Sequence, residues 1–109
     1  MSWTQIADNY FVSPQITLAD VEEASRQGFD TIICNRPDAE DPGQPTFEEI
    51  SAAATRAGMA CIHIPMVNIN ISSAQVEALK PIVAEDKKVL AYCRSGRRSA
   101  VLFEATTQG

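Results

Sequence analysis

Apolar positions along this chain follow two periods in turn. Short unbroken apolar runs at Tyr10-Phe11-Val12, at Thr31–Cys34, at Ala60–Ile64 and at Lys88–Ala91 predict buried strands. Between them, apolar residues recur at helical spacing. Leu18, Val21 and Ala24 share a face behind an N-cap at Thr17, and Gly28 ends that helix. Thr46 and Glu49 form a capping box that opens a helix with Phe47, Ile50, Ala54 and Ala57 inward, stopped by Gly58. Ser72 and Gln75 form another box before Val76, Leu79, Ile82 and Val83, and Pro81 is expected to shorten or kink that helix. Residues 35–45, with prolines at 37, 42 and 45, predict a long polar loop, and residues 66–71 a second one. A short final helix is expected over the apolar run Ala100–Ala105.

Strand and helix signals in alternation predict an α/β fold, with a mainly parallel central sheet covered by helices on both faces. In such sheets a ligand sits outside the carboxyl ends of the strands. The 35–45 loop, the 65–71 loop and the segment after Ala91 all leave those ends, so one pocket can be lined by all three. No repeat or linker interrupts the pattern, and residues 1–109 read as a single domain.

Composition narrows the function classes. The hydrophobic share of 45% and charged share of 21% are ordinary for a globular domain. A net charge of −5 and a pI near 4.7 argue against nucleic-acid or membrane partners. No apolar run is long enough to span a bilayer. No signal peptide is expected, and an odd count of three cysteines fits free thiols in a reducing, cytoplasmic setting. One histidine and three scattered cysteines lack zinc-ligand spacing, so no metal or other cofactor is expected.

Against that acidic background, three of the six arginines fall within Cys93-Arg94-Ser95-Gly96-Arg97-Arg98-Ser99. A cysteine at a strand end, a Gly-containing loop and a helix start form an anion cradle, because loop N–H groups and the helix N-terminus aim at one spot. A thiol there is expected to be thiolate near neutral pH, stabilised by the arginines and the helix end. Cys93 is therefore the candidate nucleophile. Arg94, Ser95, Gly96, Arg97, Ser99 and, from the 35–45 loop, Arg36 are candidate anion-binding residues. Cys34 and Cys61, set among isoleucines, read as buried small hydrophobes, and His63 as a structural hydrogen-bonded residue. Arg36 and Asp38 read either as turn residues of the long loop or as pocket residues. The local inversion of charge points to a small anionic substrate rather than a large anionic partner.

The cysteine loop resembles the phosphate loop of cysteine phosphatases and the persulfide loop of rhodaneses. Nearly the whole chain resembles the bacterial family of beta-lactamase-hydrolase-like, phosphatase-like domains, also described as sulfur transferases. The matching features are Ser13-Pro14-Gln15, Asn35-Arg36-Pro37-Asp38, Glu40-Asp41-Pro42-Gly43-Gln44-Pro45, His63-Ile64-Pro65, and Ala91-Tyr92-Cys93-Arg94-Ser95-Gly96 with Arg98-Ser99. The resemblance implies a fold like that of dual-specificity phosphatases and, since some members are fused to a metallo-hydrolase-type domain, a link to persulfide oxidation.

Two departures from the phosphatase pattern bear on the reaction. The phosphatase signature places arginine six positions after the cysteine; here Ser99 stands there and the arginine, Arg98, comes one earlier, and the resemblance implies Arg98 as the catalytic arginine. Phosphatases also place an aspartate after an Ile-Pro to protonate the leaving alcohol, a step worth ~10²–10⁴ in rate. The comparable segment is Ile64-Pro65-Met66-Val67-Asn68, and no carboxylate occurs through Ser73. Sulfur transfer tolerates both losses, because a sulfite- or thiolate-like group leaves without acid help. The favoured expectation is thus a rhodanese-like sulfurtransferase that forms a Cys93 persulfide from a small anionic or sulfur-containing substrate. The alternatives are hydrolysis of phosphate monoesters through a Cys93 phosphocysteine, and a catalytically silent anion-binding module.

Overall fold

The computed structural model describes residues 3–107. Its elements run β1 (Thr4–Ala7), β2 (Tyr10–Ser13), α1 (Leu18–Arg26), β3 (Thr31–Cys34), α2 (Phe47–Arg56), β4 (Ala60–His63), α3 (Ser73–Ala84), β5 (Val89–Tyr92) and α4 (Arg97–Thr107). They build one sheet of order β1-β2-β5-β3-β4. Strands β2, β5, β3 and β4 are parallel, and β1 pairs antiparallel with β2. The mainly parallel sheet is as the pattern predicts.

Because side chains alternate across a strand, neighbouring residues feed opposite layers. Ile32, Cys34, Leu90 and Tyr92 pack with Val21 and Ala24 of α1 and Ile50 and Ala54 of α2. Ile33, Val89, Ala91, Tyr10 and Val12 pack with Leu79 and Ile82 of α3 and Leu102 of α4. Both layers are dry: Ile32 and Ile33 are each 0% exposed. That is why the central strands read as continuous apolar runs rather than alternating ones.

Three helices open on reciprocal caps. Thr17 with Asp20, Thr46 with Glu49 and Ser72 with Gln75 each exchange side-chain and backbone bonds. Asp38 adds a second anchor to α2, accepting from the Phe47 N–H at 2.8 Å, so the loop's aspartate serves as a helix cap. The fourth helix opens differently, as described below.

Three local expectations need correction. Strand β1 lies outside the pattern: Thr4–Ala7 is an edge strand with half-exposed side chains, created by its pairing with β2. Pro81 does not shorten α3, which runs on to Ala84. The missing N–H falls in the last turn, where Leu79 and Ile82 are already anchored in the core. Helix α4 begins at Arg97, three residues before the apolar run, and so takes in the last three residues of the cysteine motif.

Candidate active site

The carboxyl ends of the parallel strands are laced together by main-chain bonds. The Cys93 N–H donates to Ser13 O at 3.3 Å, Asn35 N–H to Tyr92 O at 2.8 Å, and Ile64 N–H to Cys34 O at 2.9 Å. Asn35, fully buried, donates its side-chain amide to Ile64 O at 2.9 Å while its own carbonyl accepts from Met66 N–H at 2.9 Å. These bonds fix the starting points of the cysteine loop, the 35–45 loop and the 64–71 loop side by side.

Cys93 lies on the floor of its loop, with 0% exposure. The Gly96 N–H donates to its sulfur at 3.0 Å. Burial by itself raises the thiol. The N–H groups of Ser99, Ser95 and Arg98, together with the Ser99 hydroxyl, outweigh it and hold Cys93 below its ordinary value of 9.0. The start of α4 turns N–H groups toward a sulfur, and the Ser95 hydroxyl takes the Arg97 N–H. The loop reaches this shape through Gly96, at φ +91°, where a Cβ would stand 3.3 Å from the Ser13 backbone. Only glycine meets both demands.

The arginines contribute less directly than the sequence implies. Arg98 is held by Glu40, Nη1 to Oε2 and Nη2 to Oε1 both at 2.8 Å, and Nη1 also donates to Met66 O. The pair lowers the Glu40 carboxyl to about 2, with the Arg98 hydrogen bond as the largest favourable contribution, and raises the Arg98 guanidinium. Arg98 lies in the first turn of α4, five positions after Cys93. Arg94 is 69% exposed and leans on Asp41 at 3.3 Å. Arg97 is exposed at the first turn of α4. Thus Cys93, Gly96, Arg98 and Ser99 come together; Ser95 accepts from Arg97 N–H at 3.3 Å on the loop's exposed side; Arg94 and Arg97 rim the mouth.

Arg36, a candidate for direct anion contact, is instead 3% exposed and fully engaged. It donates to Glu40 at 2.9 Å, to Gln15 at 2.9 Å and to Asp41. Its charge is met by two carboxylates, so it acts on the cradle through Glu40. Glu40, Asp41 and Gln15 belong to the motifs quoted above but had no role assigned from the sequence. The available signal was a pair of carboxylates four and five residues after a strand-end arginine.

The remaining candidates are structural. His63 donates to Arg36 O at 3.1 Å and stacks on Phe47 at 4.5 Å. Asn68 accepts from Asn70 N–H at 2.8 Å, a turn residue. Buried Cys34 donates its thiol to Arg36 O at 3.2 Å, and burial raises it; burial pushes half-buried Cys61 to about 11.

Residues 3–109 match the family described as "Beta-lactamase hydrolase-like protein, phosphatase-like domain". The chain belongs to this family. A beta-lactamase hydrolase-like protein of Agrobacterium fabrum is 36% identical over 104 residues, covering 94% of this chain and 24% of that protein. The chain therefore spans about a quarter of the length of the curated relatives it matches. A crystal structure of a proposed phosphatase from Neisseria meningitidis superposes with a TM-score of 0.84 at 36% identity, covering 94% of this chain and 74% of that one. Kinase-associated phosphatase, solved with serine replacing its catalytic-site cysteine, superposes at 0.75 with 14% identity, over 91% of this chain and 64% of that one. The last likeness is one of fold alone. The domain is phosphatase-like, with the fold of dual-specificity phosphatases. No described helix is long and apolar enough to cross a membrane.

Proposed function

We propose that the domain hydrolyses phosphate monoesters with leaving groups stable as anions, using Cys93 as nucleophile. This reverses the order favoured on sequence, because the fold and the named relatives support the phosphatase reading at least as well as sulfur transfer. The carrying observation is the Cys93 sulfur, buried at the start of α4 among converging N–H groups and beside Arg98. The thiolate attacks phosphorus, the ester P–O bond breaks, and its electron pair leaves on oxygen. Water then attacks phosphorus, the S–P bond breaks with its electron pair on sulfur, the water's protons pass to the released phosphate and to solvent, and the thiolate is regenerated. Loop N–H groups and Arg98 stabilise the oxyanions in both steps.

The leaving-group restriction follows from proton supply. Residues 64–73 hold no carboxylate, and Glu40 is kept ionised between Arg36 and Arg98. Aryl phosphates are therefore expected to turn over far faster than alkyl phosphates. The same lack of an acid, with the early arginine, favours a second reading. The thiolate attacks the outer sulfur of thiosulfate, the S–S bond breaks, sulfite leaves with the pair, and a thiolate acceptor later takes the sulfur.

The two readings separate on acid-quenched intact mass. Protein mixed with 4-nitrophenyl phosphate gains a phosphoryl group in the first case; protein mixed with thiosulfate gains one sulfur atom in the second. Each adduct must vanish in Cys93→Ser. Turnover that survives Cys93→Ser sinks both. Phosphate binding without any adduct or turnover leaves the silent module.

A further inference from the structure

A guanidinium carries five N–H donors in one plane, and the partners of Arg98 can be counted against them. Glu40 bridges Nη1 and Nη2, each at 2.8 Å, and so occupies the outer end of the fork. The Met66 carbonyl takes the second hydrogen of Nη1. What remains is a single edge, Nε–H with the adjacent Nη2–H. Arg98 stands in the first turn of α4, five positions after Cys93 on the same loop whose Gly96 N–H holds that sulfur, so this free edge is the one left for an anion on the loop.

Glu40 is itself held from behind. Its Oε1 accepts from Nε of Arg36 at 2.9 Å, and Arg36 is anchored by Gln15 at 2.9 Å and by Asp41. At 3% exposure the Arg36 side chain has no other course. A buried cation thus fixes a carboxylate, and the carboxylate fixes a second cation 58 residues away in sequence.

We propose that Glu40 is the positioning residue of the cradle: clamped by Arg36, it fills the outer end of the Arg98 fork and aims the inner edge at the anion carried on Cys93. Glu40 touches no reacting atom. The inference rests on Cys93 being the nucleophile of the proposed function, and it adds the residue that sets Arg98's geometry.

A double-mutant cycle tests it, using wild type, Glu40→Gln, Arg98→Lys and the double variant. Two readouts are taken: kcat/KM for 4-nitrophenyl phosphate, and protection of Cys93 from iodoacetamide by inorganic phosphate. Glu40→Gln loses a charge-assisted bond and lets the fork swing, so both readouts fall by about 10- to 100-fold. In the Arg98→Lys background the same change costs no more than about twofold, since Glu40 acts through Arg98. An equal loss in both backgrounds marks a merely structural role and overturns the proposal. Unchanged or raised activity in Glu40→Gln also overturns it, since the carboxylate would then be competing with substrate. If Glu40→Gln fails to fold by circular dichroism, Glu40→Asp carries the same comparison, being one methylene too short to bridge both Nη atoms. Phosphate protection does not need turnover. Wild type that binds phosphate but hydrolyses nothing would sink the catalytic reading while the Glu40 comparison still reports; wild type that phosphate does not protect would sink both.

Discussion

Cys34 and Cys93 end adjacent parallel strands, one position out of register, on opposite faces of one sheet. Both are buried, at 2% and 0% exposure, and burial pushes both thiols up. Their fates differ through what surrounds the sulfur. At Cys34 burial outweighs the lowering contacts of the Tyr92 side chain and the Arg36 backbone, and the thiol, which donates to the Arg36 carbonyl, is held up. At Cys93 the sulfur accepts from the Gly96 N–H and faces the N–H groups of Ser95, Arg98 and Ser99. The contrast separates burial from reactivity: a dry site makes an inert thiol unless a helix start supplies donors for the anion.

Exchanging the two cysteines for serine is the widest break of this comparison. Cys93→Ser is expected to cut kcat/KM by about 10⁴-fold or more and to leave the thermal midpoint nearly unchanged. Cys34→Ser is expected to keep turnover and lose about 1–3 kcal/mol in urea unfolding, because a hydroxyl costs more than a thiol to bury in an apolar layer even where it keeps the Arg36 carbonyl as acceptor. A large activity loss from Cys34→Ser would erase the distinction. Next in size is Gly96→Ala. With φ +91° and the Ser13 backbone 3.3 Å from the new Cβ, it should cost about 1–3 kcal/mol of stability and displace the Gly96 N–H from the sulfur. Urea unfolding and the thiol titration should therefore move together. A variant that shifts neither would show that the loop does not need this backbone.

The titration itself sharpens the contrast. Iodoacetamide labelling followed by peptide mapping should give a midpoint for Cys93 below 9.0, one for Cys34 above it, and one for Cys61 near 11. A common midpoint for all three would contradict the role of the loop donors. The smallest effect concerns Glu40. Its carboxyl is depressed in the folded state to about 2, from an ordinary 4.5. Its contribution to stability is therefore present above about pH 4.5 and is lost as pH falls toward 2. Glu40→Gln should flatten the stability-against-pH curve in that window, and an unaltered slope would mean the pair with Arg98 does not persist in solution.

What was legible in the sequence was local. The capping pairs Thr46 with Glu49 and Ser72 with Gln75 lie three residues apart, so they could be read directly and formed as read. The apolar runs gave the central strands because those strands are buried on both faces. Cys93, Gly96, Arg98 and Ser99 converge because one loop carries them all. Strand β1 escaped because its order comes from pairing with β2; the Asp8-Asn9 turn was its only local mark. The first turn of α4 escaped because its N–H groups turn toward a sulfur and it shows no reciprocal capping box, only the Ser95 hydroxyl on the Arg97 N–H. The Arg36–Glu40–Arg98 relay escaped because its decisive bond joins distant segments. The order of the two enzyme readings rested on one loop's spacing and one missing acid, whereas the rest of the fold carries the phosphatase resemblance.

The most direct test is to capture the intermediate. Wild-type protein is mixed with 4-nitrophenyl phosphate, quenched in acid during turnover, digested and mapped by mass. The proposed mechanism predicts a phosphoryl group on Cys93 and none on Cys34 or Cys61. Steady turnover with Cys93 unmodified, or with the group on another residue, would contradict it.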